Sequence, residues 1–184
     1  MTRVWLIRHG ASTSLAGLAI GALDPPLSDL GRVQAQTLAA KLAARPLVRV
    51  ISSDLRRAAE TATIIAARHR LVVECTRALR EIDFGAWEGR DLSDLWSEDA
   101  AAARSWEQDV RLTPPAFGEN VGDVERRVAD FWRRTLTLAA AGEIAVVGHG
   151  GSLAVLRALI SGEPIADTIA SRLAIASMVA LDAG

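Results

Sequence analysis

Cysteine occurs once in the 184 residues, at Cys75, which excludes an internal disulfide, and no cysteines or histidines pair at metal-ligand spacing. A reducing cytoplasm fits that usage, with Cys75 expected as a small buried apolar residue. Lysine is as scarce, Lys41 being the sole example, so the basic charge is carried almost wholly by arginine. Long apolar runs are missing too. Residues 4–7 and 144–147 fall far below the ~20 residues of a membrane helix, and the N-terminal run is too short for the core of a secretory signal. An excess of one charge is also lacking: the formal net charge is -1, which provides no global field to gather nucleic acid or an anionic membrane. Neither is expected as a partner. An anionic small molecule would have to be recognised locally, and a homodimer stays open.

What is present suits one folded domain over residues 1–184, because half of the residues are hydrophobic and a chain of this length can bury most of the surface it exposes when unfolded. Short runs rich in β-branched residues at 4–7, 47–52, 71–74, 144–147 and 173–181 read as strands. Helical spacing occupies 29–44, with Ser28 as N-cap, then 55–67 and 121–141, and a further helix starts at Gly150 or Gly151. Strands alternating with helices predict an α/β fold of three αβα layers around a mainly parallel sheet, with the C-terminal strand at an edge. Residues 10–27 and 104–118, each holding a Pro-Pro pair, are expected as long loops. Ligands of such sheets bind beyond the carboxyl ends of the strands.

Two of the three histidines stand at such ends, in Arg8-His9-Gly10 and Gly148-His149-Gly150-Gly151, whereas His69 lies at a helix terminus between arginines and is expected to complement the helix dipole at the surface. A lone loop histidine is ordinarily a hydrogen-bonded structural residue. The shared strand-His-Gly context makes His9 and His149 a candidate pair. Further motifs follow in order: Asp24-Pro25-Pro26-Leu27-Ser28 with Gly31 and Gln34-Ala35; Ser52-Ser53-Asp54-Leu55-Arg56-Arg57-Ala58; Leu79-Arg80-Glu81-Ile82-Asp83-Phe84-Gly85 with Trp87-Glu88-Gly89; and Gly118-Glu119. Together with the two histidine motifs, they resemble the histidine phosphatase, or phosphoglycerate-mutase-like, superfamily over nearly the whole chain.

The resemblance implies that His9 is the nucleophile that becomes phosphohistidine, that Glu81 is the general acid, and that His149 donates to the charge developing on the phosphoryl oxygens. Arg8 and Arg57 would bind the phosphate, since two forked guanidiniums can supply the positive charge that a metal supplies elsewhere. No metal and no cofactor is expected. Gly150 would let a helix N-terminus approach the anion. Arg56 reads as a solvated neighbour, and Asp83 and Glu88 as acids around a turn, with a lesser claim to the proton-donor role.

Departures from the family's pattern bear on substrate identity. Ala11 stands where an acid is common, Leu15 where an asparagine is common, and Asn120 where serine is usual; Ser12 keeps a hydroxyl that could take over phosphate binding. The short chain is similar to the broad-specificity and α-ribazole-5'-phosphate phosphatase branches, which implies hydrolysis of a small phosphorylated metabolite. A mutase-type phosphotransferase, or an inactive phospho-ligand binding or scaffold protein on the same fold, is the alternative. Residues 92–118, with Trp96, Trp106 and Phe117, are expected to form a lid, though an amphipathic helix burying those aromatics fits the same residues.

Overall fold

The computed structural model describes residues 2–13, 17–98, 100–108, 117–137 and 142–183. Five strands, β1 (Thr2–Arg8), β2 (Leu47–Ser53), β3 (Val73–Thr76), β4 (Glu143–Gly148) and β5 (Met178–Ala183), form one sheet in the order β3-β2-β4-β1-β5. The first four run parallel, and β5 joins the edge antiparallel to β1. β4 is buried along its whole length, and its unbroken apolar reading is what a strand flanked on both edges and covered on both faces requires.

Alternation along the strands splits the core in two. Val4, Leu6, Ile144 and Val146 face α5 (Val121–Thr137) and α6 (Gly150–Ser161) through Val124, Val128, Trp132, Leu153 and Leu156. Ile7, Ala145 and Val147 face α1 (Asp29–Leu42) and α2 (Arg56–His69) through Leu38, Leu42, Ala62 and Ile65. The three expected layers follow from this period-two split. A satellite cluster of Ala19, Trp87, Leu95 and Ala103 joins the loop after β1 to α3 (Leu92–Glu98) and α4 (Ala100–Gln108). Among the described residues, no helix is long and apolar enough to cross a membrane.

Several expectations shift. Residues 104–108 belong to α4 rather than to a loop, and the short α7 (Ile165–Ala170) was not foreseen. The last strand begins at Met178, because residues 173–177 turn back towards the end of β1, where the Ser177 carbonyl accepts from the Arg8 N–H. Cys75 is exposed, since β3 is an edge strand with only one paired neighbour and little packed over that position. Leu15, residues 109–116 and residues 138–141 lie outside the described residues, as do the side chains of Trp96 and Trp106. Phe117 is 99% exposed.

Ser28 caps α1 as its sequence predicts, and α5 opens on a cap that was not expected. Asn120 and Asp123 exchange backbone-to-side-chain bonds of 2.9 Å each at the start of α5, so asparagine here serves as a cap, a role serine also fills. Ser28 Oγ accepts from the Gly31 N–H at 3.1 Å and donates to the Ala11 carbonyl at 3.0 Å, which ties the start of α1 to the segment leaving His9. Ser28→Ala should therefore destabilise the protein by about 1 kcal/mol, read as a lower urea midpoint at unchanged slope; an unaltered midpoint would show that the cap contributes nothing.

Candidate active site

The register of the two central strands sets the site. β1 and β4 pair in parallel with Arg8 opposite Gly148, so His9 and His149, the next residue on each strand, emerge side by side. Their ring centroids are 5.0 Å apart at 58°. Both are buried, at 7% and 0% exposure.

His9 Nδ1 lies 2.7 Å from its neighbour's carbonyl, Gly10 O. An acceptor there requires Nδ1 to carry the proton, which leaves Nε2 with its lone pair. Burial, followed by the charges of Arg57 and Arg8, pushes the His9 pKa down to about 3 against the opposing pull of the Gly10 carbonyl. The ring is therefore neutral around neutrality. His149 is held well below its ordinary value, by burial first, then by the cost of a second cationic ring beside His9, and by the charges of Arg57, Arg8 and Arg127. Its Nε2 is hydrogen-bonded to Ser53 Oγ at 2.9 Å at the end of β2, and that hydroxyl oxygen accepts from the Leu55 N–H at 3.2 Å.

Two guanidiniums reach the imidazoles electrostatically. Arg8 donates from Nη1 to Leu173 O at 2.7 Å, and a Cβ on Gly150 would come within 3.2 Å of its Cζ, so a side chain there would crowd the guanidinium. Arg57, in the first turn of α2, is only 2% exposed and donates to Leu23 O at 2.6 Å and Gly21 O at 2.9 Å. Two of its five N–H groups are so engaged. Arg56 beside it is exposed and pairs loosely with Glu60 at 3.9 Å.

Glu81 closes the group. Its carboxylate accepts from the Gly151 N–H at 2.9 and 3.2 Å, at the start of α6, and its charge acts on both arginines. A Cβ on Gly151 would lie 2.5 Å from Glu81 Oε1, so the contact requires glycine. The acid's backbone is clamped from α5 and α6. Arg127 donates to the carbonyls of Ala78 and Glu81 at 2.7 and 3.1 Å while paired with Glu119, and Ser152 Oγ donates to Leu79 O at 2.9 Å.

His9, His149, Arg8, Arg57, Glu81 and Gly150 thus converge, whereas Ser12 stands on an isolated bridge to Leu27, outside the contacts that join the other six. Asp83 is turned onto its own loop, accepting from the Gly85 N–H at 2.8 Å. Glu88, expected as a solvent-facing acid, is instead occupied by backbone N–H groups of two segments. Ser53, Arg127 and Glu119 carried no role in the sequence reading. Only the motif positions of Ser53 and Glu119 hinted at one.

A mainly parallel sheet whose strand ends gather two neutral imidazoles, two guanidiniums and a carboxylate defines an α/β protein built to handle a phosphate-like anion. Residues 4–184 match the histidine phosphatase superfamily (branch 1); the chain belongs to that family and is a phosphoric monoester hydrolase. It is 34% identical over 165 residues to an adenosylcobalamin/alpha-ribazole phosphatase of Salmonella typhimurium, covering 89% of this chain and 82% of that protein. A glucosyl-3-phosphoglycerate phosphatase of Mycolicibacterium vanbaalenii is 36% identical over 171 residues, covering 89% and 76%. Among solved structures, the alpha-ribazole phosphatase from Shigella flexneri superposes with a TM-score of 0.90 at 33% identity, covering 98% of this chain and 90% of that one.

The lowered pKa of His9 has a consequence for folding. Above its ordinary value of 6.5 the ring is neutral in both states; as pH falls towards about 3 the unfolded chain takes up a proton that the folded protein refuses, so stability is lost across that window. His9→Gln, which does not titrate, should show a shallower fall in melting temperature on acidification than the parent. Parallel falls in the two proteins would show that His9 is not held neutral.

Proposed function

We propose that this chain hydrolyses the phosphate monoester of a small metabolite through a phosphohistidine on His9, without a metal ion. The observation that carries this reading is the His9 imidazole, buried, neutral and oriented by Gly10 O so that Nε2 is the free nucleophile, with His149 5.0 Å away and Arg57 directed by two carbonyls. Nε2 attacks phosphorus as the bond to the alcohol oxygen breaks, and Glu81 delivers its proton to that oxygen. Glu81 then takes a proton from the water that attacks the phosphohistidine, which releases inorganic phosphate and regenerates His9. Arg8 and Arg57 hold the phosphoryl oxygens. His149 donates to the charge that develops on them, and the Gly150 end of α6 completes the cradle.

Alpha-ribazole 5'-phosphate is the first candidate substrate, on the likeness to the alpha-ribazole phosphatases of Salmonella and Shigella. The glucosyl-3-phosphoglycerate phosphatases are equally similar and make phosphorylated glycosides the second class to assay. Release of inorganic phosphate separates hydrolysis from a mutase-type transfer, in which the phosphoryl group returns to the organic acceptor, and from a binding protein with no turnover.

His9→Ala should lower turnover of para-nitrophenyl phosphate by roughly 10⁴-fold or more, and excess chelator should leave the parent's rate unchanged. Chelator inhibition reversed by a divalent ion would reject the metal-free mechanism. Glu81→Ala should cost alkyl phosphates ~10²- to 10⁴-fold while sparing the nitrophenyl ester in part, because nitrophenolate leaves without a proton and an alkoxide does not. Equal losses on both substrates would remove Glu81 from the role of leaving-group acid.

A further inference from the structure

Glu88 sits in the Trp87-Glu88-Gly89 motif and makes contacts unlike those of a surface acid or of a proton donor. Its carboxylate accepts from the N–H of Gly21 at 3.1 Å to each oxygen, of Ala22 at 2.7 Å, of Leu23 at 3.2 Å and of Phe84 at 3.0 Å. The carbonyls of Gly21 and Leu23 are the two that receive Arg57. One short segment therefore has its N–H groups turned to a carboxylate and its carbonyls turned to a guanidinium. From this geometry we propose that Glu88 is a positioning residue for phosphate binding, acting through residues 21–23 on Arg57. The proposal rests on the reading of Arg57 as a phosphate ligand.

Three further observations make the segment a stiff relay. Gly21 admits no side chain, since a Cβ there would lie 1.9 Å from Ile82 O and 2.5 Å from Glu88 Oε1. Asp24, next along the segment, accepts from the Arg56 N–H at 2.6 Å and so fastens it to the start of α2, one residue before Arg57. Beyond Glu88, the Gly89 and Ala19 backbones bond at 2.8 Å (Gly89 N–H to Ala19 O), with the Ala19 N–H returned to Arg90 O at 2.9 Å. Aligned in this way, each peptide unit polarises the next, so the carboxylate's charge strengthens the carbonyls that grip the guanidinium. Loss of Glu88 frees the carbonyls to turn, and Arg57 loses its aim without being touched.

The test compares the parent, Glu88→Gln, Arg57→Ala and the double variant in vanadate binding to the whole protein, with aryl and alkyl phosphate kinetics alongside. Glutamine keeps the size but brings an amide N–H₂ against the same N–H donors. Glu88→Gln should weaken vanadate binding and raise KM on the order of tenfold, the value of one charge-assisted contact, with the aryl-to-alkyl rate ratio unchanged. In the Arg57→Ala background the same change should cost less than about twofold, because the residue acts through that arginine. Full additivity of the two changes would overturn the proposal. Selective loss of alkyl phosphate turnover at unchanged vanadate affinity would overturn it too and make Glu88 a proton donor. If Glu88→Gln does not fold, Glu88→Asp, which keeps the charge and shortens the reach, carries the same cycle. Vanadate binding is read without turnover. A parent that binds vanadate but hydrolyses no ester would defeat the phosphatase reading while leaving the Glu88 and Arg57 coupling measurable.

Discussion

Parallel pairing of β1 with β4, register-locked with Arg8 opposite Gly148, is the constraint on which the rest of the site depends, because it turns two histidines at opposite ends of the chain into neighbours. The pairing is held by burial on both faces. Val4 and Leu6 lie on one side of β1 with Ile7 on the other, and Ile144 and Val146 oppose Ala145 and Val147 on β4. A slip of one residue would turn every one of these side chains to the wrong layer and would part the imidazoles as well. Core packing and active-site geometry are in this respect one requirement.

The second organising fact is that charge is gathered where water is scarce. Arg57 is nearly inaccessible and both histidines are buried, so the imidazoles stay neutral while the guanidiniums stay charged. A buried guanidinium needs acceptors, and here the backbone carbonyls of Gly21 and Leu23 take two N–H groups of Arg57 and that of Leu173 takes one of Arg8. Neutral acceptors direct a cation without cancelling its charge. The carboxylates stand one step away: Glu81 on the Gly151 N–H, Glu88 on the far side of residues 21–23, and Glu119 on Arg127. The site thereby remains electropositive towards a phosphate.

Much of this was legible in the residues because it is local. Ser28 as an N-cap, the helix opening at Gly150, the strand cores of β1, β2 and β4 and the edge position of the last strand follow from capping chemistry and from period-two or period-3.6 spacing. What misled was also local. Residues 104–108 look like the start of a loop because prolines follow them, yet they finish a helix packed through Ala103 onto Trp87 and Leu95. Cys75 was expected inside on the general habit of free cysteines, and the edge position of β3 leaves it outside. Glu88 read as a turn acid because its partners, Gly21 to Leu23, lie more than sixty residues earlier in the chain.

By itself, then, the sequence determined the fold class, the family and the identity of the chemical groups, since motif order, strand-ending histidines and helix caps are written in neighbouring residues. Only the tertiary structure decided how those groups are held: which nitrogen of His9 is free, that Arg57 is aimed by carbonyls, that Ser53 meets His149, and that Glu88 faces a loop rather than solvent. The reason is physical. Hydrogen-bond partners, burial and the pKa of a buried ring depend on which distant segments meet, and that is settled by the register of β1 on β4 and by packing across the sheet, neither of which any short stretch of sequence specifies.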